Sequence, residues 1–406
     1  MITRIPETFC PQPFNYVYPN HNGSWKPCCK CVKFPSKKMS FDEWWHEDED
    51  LYNLRKSLIT GEKSKIYEET CEPCYGPEKR NSKSYRQHIL ENIRDNFLWL
   101  GIINNFMDTD EHIVNERYLT VKVRGFGNDC NLKCYMCIPH NSTSKNNEMM
   151  KVSDESLKLF YPNRGRERLI KNKDISTNEI EKQQLLDVID EVGPFITRMN
   201  LSGGEPTMIQ EYYDLLDELV NKNLSQNITI FMNSNLTRLK FKDKHIEYYF
   251  DKFKQFEIMA SVDDIYERDE WIRYPSKFET VIKNCKYLLS QDKCKLSVNI
   301  TWSLLNASNA ENIMEYFEKN NIEINQNPNF VQSPAPLHPS NHPGALQLSE
   351  KYKKSKYKLV RNLGYEMARK SNELDFFKAM SYIKDLDKIR KTECWKIFPE
   401  FEEYLR

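Results

Sequence analysis

The segment Cys130-Asn131-Leu132-Lys133-Cys134-Tyr135-Met136-Cys137 sets three thiols at a C-x3-C-x2-C spacing, directly after the strand-like run Tyr118–Val123. Three cysteines this close cannot all pair with one another, so disulfide formation leaves one over. Soft thiolates on one short loop suit an iron–sulfur cubane, in which each sulfur grips one iron. The common [4Fe–4S] cluster takes four cysteines, and no fourth lies near this loop. One iron is then open to a ligand that the protein does not supply.

A chain of 406 residues is longer than the usual single domain, so two or three domains with ample core are expected. The 59 basic and 59 acidic residues cancel, so no charge bias points to nucleic acid or to a membrane surface as partner. No uninterrupted apolar run approaches about 20 residues, the length a spanning helix needs. Met1–Pro6 lacks the apolar stretch of a signal peptide. A reducing, cytoplasmic location is therefore expected, where twelve cysteines argue for metal or redox work over disulfides.

The other cysteines divide into two kinds. Cys285, Cys294 and Cys394 stand singly and read as buried small hydrophobes. Cys10, Cys28, Cys29, Cys31, Cys71 and Cys74 crowd the first fifth of the chain. There, residues 10–34 read as a turn-rich hairpin about Asn20–Ser24, which returns Cys28 and Cys29 towards Cys10. Ser40-Phe41-Asp42-Glu43 is a capping box opening a helix that carries Trp44, Leu51, Leu54 and Leu58 on one face and closes at Gly61. Cys71-Glu72-Pro73-Cys74 lets two sulfurs reach one centre. Cys10, Cys28, Cys71 and Cys74 make a closed four-thiol site, with the choice among Cys28, Cys29 and Cys31 open. Spacing alone does not separate structural zinc from iron–sulfur at such a site.

From Arg117 to about Val331 the pattern alternates. Strand-like runs at Tyr118–Val123, Ile196–Leu201, Ile228–Asn233, Phe256–Val262, Lys295–Thr301 and Ile324–Phe330 are separated by helical runs such as Ile209–Leu219 and Thr280–Leu289. This predicts an α/β fold with a parallel sheet and right-handed crossovers. Six such units are too few for a closed eight-stranded barrel, so a partial (β/α)6 TIM-like barrel is expected over residues 115–335. A Cys-rich module over 1–110 precedes it, and a C-terminal helical extension over 336–406 follows, with helices at Ser349–Leu363 and Asn372–Leu386. The polar stretch 140–180 reads as an excursion over the barrel mouth. Lys351–Lys358 alternates lysines with tyrosines and reads as a solvated helix face rather than a contact for an anionic substrate.

Parallel α/β sheets carry their ligands at the carboxyl ends of the strands. The cysteine loop occupies that position after the first strand, and Ser202-Gly203-Gly204-Glu205-Pro206 occupies it after the second. Paired glycines let the backbone approach a ligand closely with its carbonyls exposed, and Glu205 adds negative charge, an edge that suits an ammonium group better than a phosphate.

C-x3-C-x2-C after strand one, with Gly-Gly-Glu-Pro after strand two, resembles the radical S-adenosylmethionine (SAM) superfamily. The likeness extends to Asn233-Ser234-Asn235, to Ser261-Val262-Asp263-Asp264 with Ile272-Arg273 downstream, and to Thr301–Asn306. It implies a [4Fe–4S] cluster on Cys130, Cys134 and Cys137, with SAM ligating the fourth iron. It implies Gly203, Gly204 and Glu205 at the SAM amino group, Ser261 and Asp263 at its ribose or carboxylate, and Arg273 at the carboxylate. One departure is Met136, where the family usually has an aromatic residue near the adenine. The N-terminal region resembles the twitch module, a shorter relative of the SPASM extension, and implies an auxiliary [4Fe–4S] cluster on Cys10, Cys28, Cys71 and Cys74. The expected activity is reductive cleavage of SAM and hydrogen abstraction from a substrate, with a reductant such as flavodoxin or ferredoxin. Peptide side chains lead as substrate; a sugar, nucleotide or other small molecule is the alternative. A non-catalytic zinc-binding protein is the reading from a different class. No residue stands out as a catalytic acid or base.

Overall fold

The computed structural model describes residues 3–20, 23–31, 33–35, 37–79, 84–91, 96–109, 119–124, 126–162, 167, 169, 179–369 and 371–406. They form two compact units, the first made of residues 1–126, 177–201 and 216–230, the second of 127–176, 202–215 and 231–406.

In the first unit the strand Tyr16–Pro19 pairs antiparallel with Trp25–Lys26, closing the hairpin read from the turn residues. On its other edge it runs parallel to Leu119–Val123, which in turn runs parallel to Ile196–Leu201. Leu119, Val121 and Val123 are buried while Thr120 and Lys122 are half-buried, the alternation that a period-two strand imposes. The Ser40 capping box forms, with Ser40 Oγ accepting from Glu43 N–H at 3.2 Å and Glu43 Oε2 accepting from Ser40 N–H at 2.9 Å. The expected single helix is two, Phe41–His46 and Glu49–Thr60, because the Asp48 carboxylate caps a new start by accepting from Leu51 N–H at 2.8 Å. Gly61 closes the second helix in the left-handed region, at φ 81°. Trp25, Phe41, Trp44 and Trp45 are fully buried and pack ring on ring with centroids 5.5–6.3 Å apart. The Arg55 guanidinium closes this core, donating to the carbonyls of Pro13 (2.9 Å) and Trp45 (2.8 Å). Cys71 and Cys74 lie on the helix Lys65–Lys79.

In the second unit Gln255–Ser261 and Cys294–Asn299 are parallel strands in continuous register from Phe256↔Cys294 to Ser261↔Asn299. The helix Phe278–Leu289 buries Phe278, Val281, Ile282, Cys285 and Leu288, a three-and-four spacing that makes one apolar face. The run Ile324–Phe330 is not the continuous strand its residues predict. Ile324 makes a single parallel bridge to Val298, and only Asn329–Phe330 pairs, with Thr301–Trp302. Between them Pro328 has no N–H to offer a ladder, and Asn325 Oδ1 turns back to accept from Asn327 N–H at 3.2 Å. The run Ser349–Leu363 likewise divides into Ala345–Tyr352 and Lys358–Met367. Gly364 lets the two pack, since a Cβ there would stand 2.9 Å from Lys353 N. Lys351, Lys353 and Lys356 of the basic stretch each pair with a glutamate, as a solvated face does. Of the polar excursion, Thr143–Met149 and Asp154–Lys158 are helices, and much of 163–178 lies outside the described residues. Tyr382, Ile383, Leu386 and Cys394 of the tail share one apolar core with Tyr135, Trp271, Leu304 and Leu337. Cys285, Cys294 and Cys394 are all buried, matching the packing reading of the single thiols.

Candidate functional site

The cysteine loop is fixed by backbone bonds on both flanks of Cys134. Lys133 N–H donates to the Tyr274 carbonyl at 2.6 Å, Tyr135 N–H donates to the Ile272 carbonyl at 2.9 Å, and Cys137 N–H donates to the Cys134 carbonyl at 3.0 Å. Burial pushes the Cys130 and Cys137 thiols up to about 12, and neighbouring thiols of the same loop push in the same direction. Cys134 is also raised by burial, with Arg273 opposing. Three mutually repelling, desolvated thiols ionise together only when a cationic centre binds them, so this donor set fits a metal cluster. Among the described residues no three His, Cys, Asp or Glu side chains meet at the spacing of a single metal ion. A cubane, which takes one thiolate per iron, does not require that spacing.

Gly203 and Gly204 adopt φ 108° and 53°, left-handed backbone that glycine takes without strain. Gly204 also lies against the cysteine loop. A Cβ there would stand 2.3 Å from the Asp129 carbonyl oxygen and 2.8 Å from the Asn128 carbonyl carbon. Glu205 N–H donates to the same Asp129 carbonyl at 2.7 Å. Ser202 Oγ and Asn128 Oδ1 are buried beside this turn without a protein partner, polar atoms that a bound SAM fits.

Glu205 does not extend a free carboxylate. It is 1% exposed. Its oxygens accept from Thr207 N–H (3.3 Å), Thr207 Oγ1 (2.8 Å), Ser234 Oγ (2.7 Å) and Asn235 N–H (2.7 Å). Burial raises its pKa, and these donors act against the rise. Asn235 carries the link back to the cysteines, its Nδ2 standing 3.0 Å from Asn131 Oδ1 and 3.8 Å from Cys130 Sγ, while Asn131 Nδ2 donates to Thr237 Oγ1 at 2.8 Å. Cys130, Gly204, Glu205 and Asn235 are thus brought together.

A second group forms on the side of Cys134. Arg273 Nη1 pairs with Asp263 Oδ2 at 2.7 Å, and Asp263 Oδ1 accepts from Thr301 N–H at 2.8 Å. Burial works against the Arg273 charge, but Cys134, Asp263 and Asp269 hold it ionised and raise its pKa. Asp269 Oδ1 caps the turn by accepting from Asp263 N–H (2.9 Å) and Asp264 N–H (3.2 Å). Its Oδ2 is buried without a partner, and burial lifts this carboxyl to about 7. Ser261 ends its strand opposite Asn299. Met136 packs, partly buried, against the apolar cluster that holds Tyr135. Sequence reasoning missed Asp269, and it missed Lys145, Glu148, Tyr382 and Arg390 beneath the loop. Lys145 and Glu148 carry a readable helical spacing of three, whereas Arg390 lies 242 residues from Glu148 and leaves no local signal.

In the first unit, Cys10, Cys28, Cys31, Cys71 and Cys74 line one cavity together with Arg86. Arg86 is fixed by Glu78, with Nε to Oε1 at 3.0 Å and Nη2 to Oε2 at 2.6 Å. Burial raises Cys10 to about 12 and Cys31 to about 11. Cys29 lies outside the cavity lining. A hydrogen bond from Cys28, the charge of Lys122 and the hydroxyls of Tyr85 and Tyr16 lower its pKa to about 5.

Residues 125–317 match the family model described as the Radical SAM superfamily. No curated protein matches the chain. Among solved structures, native anSMEcpe with bound AdoMet aligns at TM-score 0.36 and 17% identity, over 67% of this chain and 62% of that one. Streptococcus suis SuiB bound to precursor peptide SuiA aligns at 0.34 and 14%, over 89% and 66%. SuiB bound to S-adenosylmethionine aligns at 0.34 and 14%, over 96% and 71%. The chain thus spans 62% of the length of the first of these structures. No helix among the described residues is long and apolar enough to cross a membrane.

Proposed function

We propose that the Radical SAM superfamily domain carried by residues 125–317 makes this chain an enzyme that cleaves SAM reductively and abstracts hydrogen from a substrate, a peptide side chain in the leading reading. The observation that carries the proposal is the joining of three clustered thiols, Cys134 buried and Cys130 and Cys137 half-buried, by way of Asp129, to a left-handed Gly203–Gly204 turn. In this reading Cys130, Cys134 and Cys137 hold a [4Fe–4S] cluster at the mouth of a partial barrel. The protein would supply three thiolates to such a cluster and leave one iron for SAM. Cluster and SAM together supply, when bound, a 5′-deoxyadenosyl radical strong enough to take hydrogen from unactivated carbon.

The chain's own residues supply position and field. Gly203 and Gly204 present backbone close to the SAM amino group, with Glu205 holding their turn rather than reaching out itself. Arg273, steadied by Asp263, puts positive charge beside Cys134 and stands ready for the SAM carboxylate; Ser261 and Asp263 serve the ribose side and Met136 the adenine. The thiol-lined cavity of the first unit supports an auxiliary [4Fe–4S] cluster on Cys10, Cys28, Cys71 and Cys74, with Cys31 as the fifth thiol at hand. Relatives with such twitch-like modules include enzymes that oxidise or cross-link peptide side chains and others that act on sugars or other small molecules, so the peptide class leads and the small-molecule class is its alternative. A flavodoxin- or ferredoxin-like donor would reduce the clusters in the cytoplasm.

Anaerobic reconstitution tests the proposal. Two clusters give about eight irons per chain, absorbance at about 400 nm, and 5′-deoxyadenosine after dithionite and SAM are added. Replacing Cys130, Cys134 and Cys137 with Ala should leave about four irons and no 5′-deoxyadenosine. Zinc without iron in the native protein, or SAM cleavage that survives the triple replacement, overturns the reading.

A further inference from the structure

A buried polar cluster that the proposed reaction does not use lies under the cysteine loop. Lys145, Glu148, Tyr382 and Arg390 are 0%, 2%, 0% and 7% exposed. Glu148 accepts from Arg390 Nε at 2.7 Å and Nη2 at 3.0 Å, and from Lys145 Nζ at 2.8 Å. Lys145 also donates to the Tyr382 hydroxyl at 2.6 Å. The Arg390 guanidinium lies over the rings of Trp271 and Tyr274, 5.1 and 4.8 Å from their centroids. Further donors of the cluster go to main-chain carbonyls. Arg390 Nη2 donates to the Lys133 carbonyl and Nη1 to the Trp271 carbonyl (2.9 Å), while the Tyr382 hydroxyl donates to the Tyr135 carbonyl (2.8 Å). Lys133 and Tyr135 are the two neighbours of Cys134.

Desolvating this many charges costs several kcal/mol that a plug of apolar side chains would not incur. Filling space therefore does not account for the cluster. Its specific product is that the carbonyls on both sides of one thiol are held from a single helix, Glu373–Arg390. We propose that Arg390 and Tyr382 are positioning residues for the cluster loop: they fix the peptide groups flanking Cys134, and with them the direction of its sulfur and the field at the iron. This rests on the radical SAM reading of Cys130, Cys134 and Cys137.

Outer partners of metal ligands change metal affinity by about 10- to 100-fold when removed, and a lost cation makes a cluster harder to reduce. Full-length wild type, Tyr382→Phe and Arg390→Gln are reconstituted anaerobically. Iron transfer to a chelator and the midpoint potential of the SAM-responsive paramagnetic signal are measured, with circular dichroism as the control for folding. Tyr382→Phe, which deletes one oxygen, should release iron at least about 10-fold faster at unchanged fold. Arg390→Gln should do the same and shift the potential to a more negative value. Release within about twofold of wild type in Tyr382→Phe, with an unshifted potential in a folded Arg390→Gln, overturns the inference. Should Arg390→Gln not fold, the release rate of Tyr382→Phe decides alone. A wild type that takes up no iron refutes the radical SAM reading instead, so the two failures are distinct.

Discussion

At the scale of single residues, Glu205 is where charge and geometry diverge. As a letter in Gly-Gly-Glu-Pro it reads as an anion for an ammonium group. In the fold its two oxygens are taken by Thr207, Ser234 and Asn235, and it joins the turn after one strand to the turn after the next. Glu205→Ala would leave the Ser234 hydroxyl and the Asn235 N–H buried without acceptors. At about 1–3 kcal/mol for each orphaned buried group, a loss of roughly 3 kcal/mol is expected in urea unfolding of the iron-free protein. If Glu205 instead served SAM directly and not the fold, the variant would unfold at the wild-type midpoint and lose only SAM affinity. Gly204 is a sharper case. An alanine there would need a φ of 53° that L residues avoid, and its Cβ would meet the Asp129 carbonyl at 2.3 Å. On the proposed two-cluster reading, Gly204→Ala should therefore keep the iron of the first unit and lose cluster binding on Cys130, Cys134 and Cys137, read as a fall of about four irons per chain.

At the scale of elements, the helices Thr143–Met149 and Glu373–Arg390 meet through one carboxylate. Burial acts to raise the Glu148 pKa, but Lys145 and Arg390 hold it down to about 2, against an ordinary 4.5. A carboxylate whose folded pKa is depressed contributes stability above its unfolded pKa and loses it as pH falls through the folded value. The Glu148 share, about 3 kcal/mol for a shift of this size, should thus be complete above pH 4.5 and disappear between pH 4.5 and about 2. Comparing unfolding of iron-free wild type and Glu148→Gln across that window checks it. The difference between them should narrow as acid is added, and a constant difference refutes the assignment. Element scale is also where sequence reading has a clear limit. The capping box at Ser40 and the glycine at 61 were legible because a cap is local chemistry. The break at Asp48 was not, since an apolar face of Trp44, Leu51, Leu54 and Leu58 continues across it. Pro328 carried the signal that interrupts Ile324–Phe330, but the apolar ends of that run outweighed it.

At the scale of the whole chain, the order of thiols, Gly-Gly turn and Ser-x-Asp segment was legible because each is a short run at a strand end. The support beneath it was not, because Arg390 and Tyr382 reach Lys133 and Tyr135 across more than half of the sequence. For the first unit, spacing alone left the choice among Cys28, Cys29 and Cys31 open, and the cavity narrows it. Cys28 and Cys31 line the cavity with Cys10, Cys71 and Cys74, while Cys29, outside that lining, is held by hydrogen bonds with Cys28, Tyr85 and Tyr16 and by the charge of Lys122. An iron–sulfur site there should therefore tolerate loss of Cys29 and not loss of Cys74. Cys74→Ser should fall from about eight irons to about four and retain the SAM-responsive signal of the Cys130–Cys137 loop. Cys29→Ser should keep the full count, because neither the hydroxyl nor the thiol it replaces lines the cavity. Iron analysis and electron paramagnetic resonance with and without SAM distinguish the two variants. A Cys29→Ser protein with half the iron would make Cys29 a ligand and require its side chain to leave the two tyrosines for the cavity.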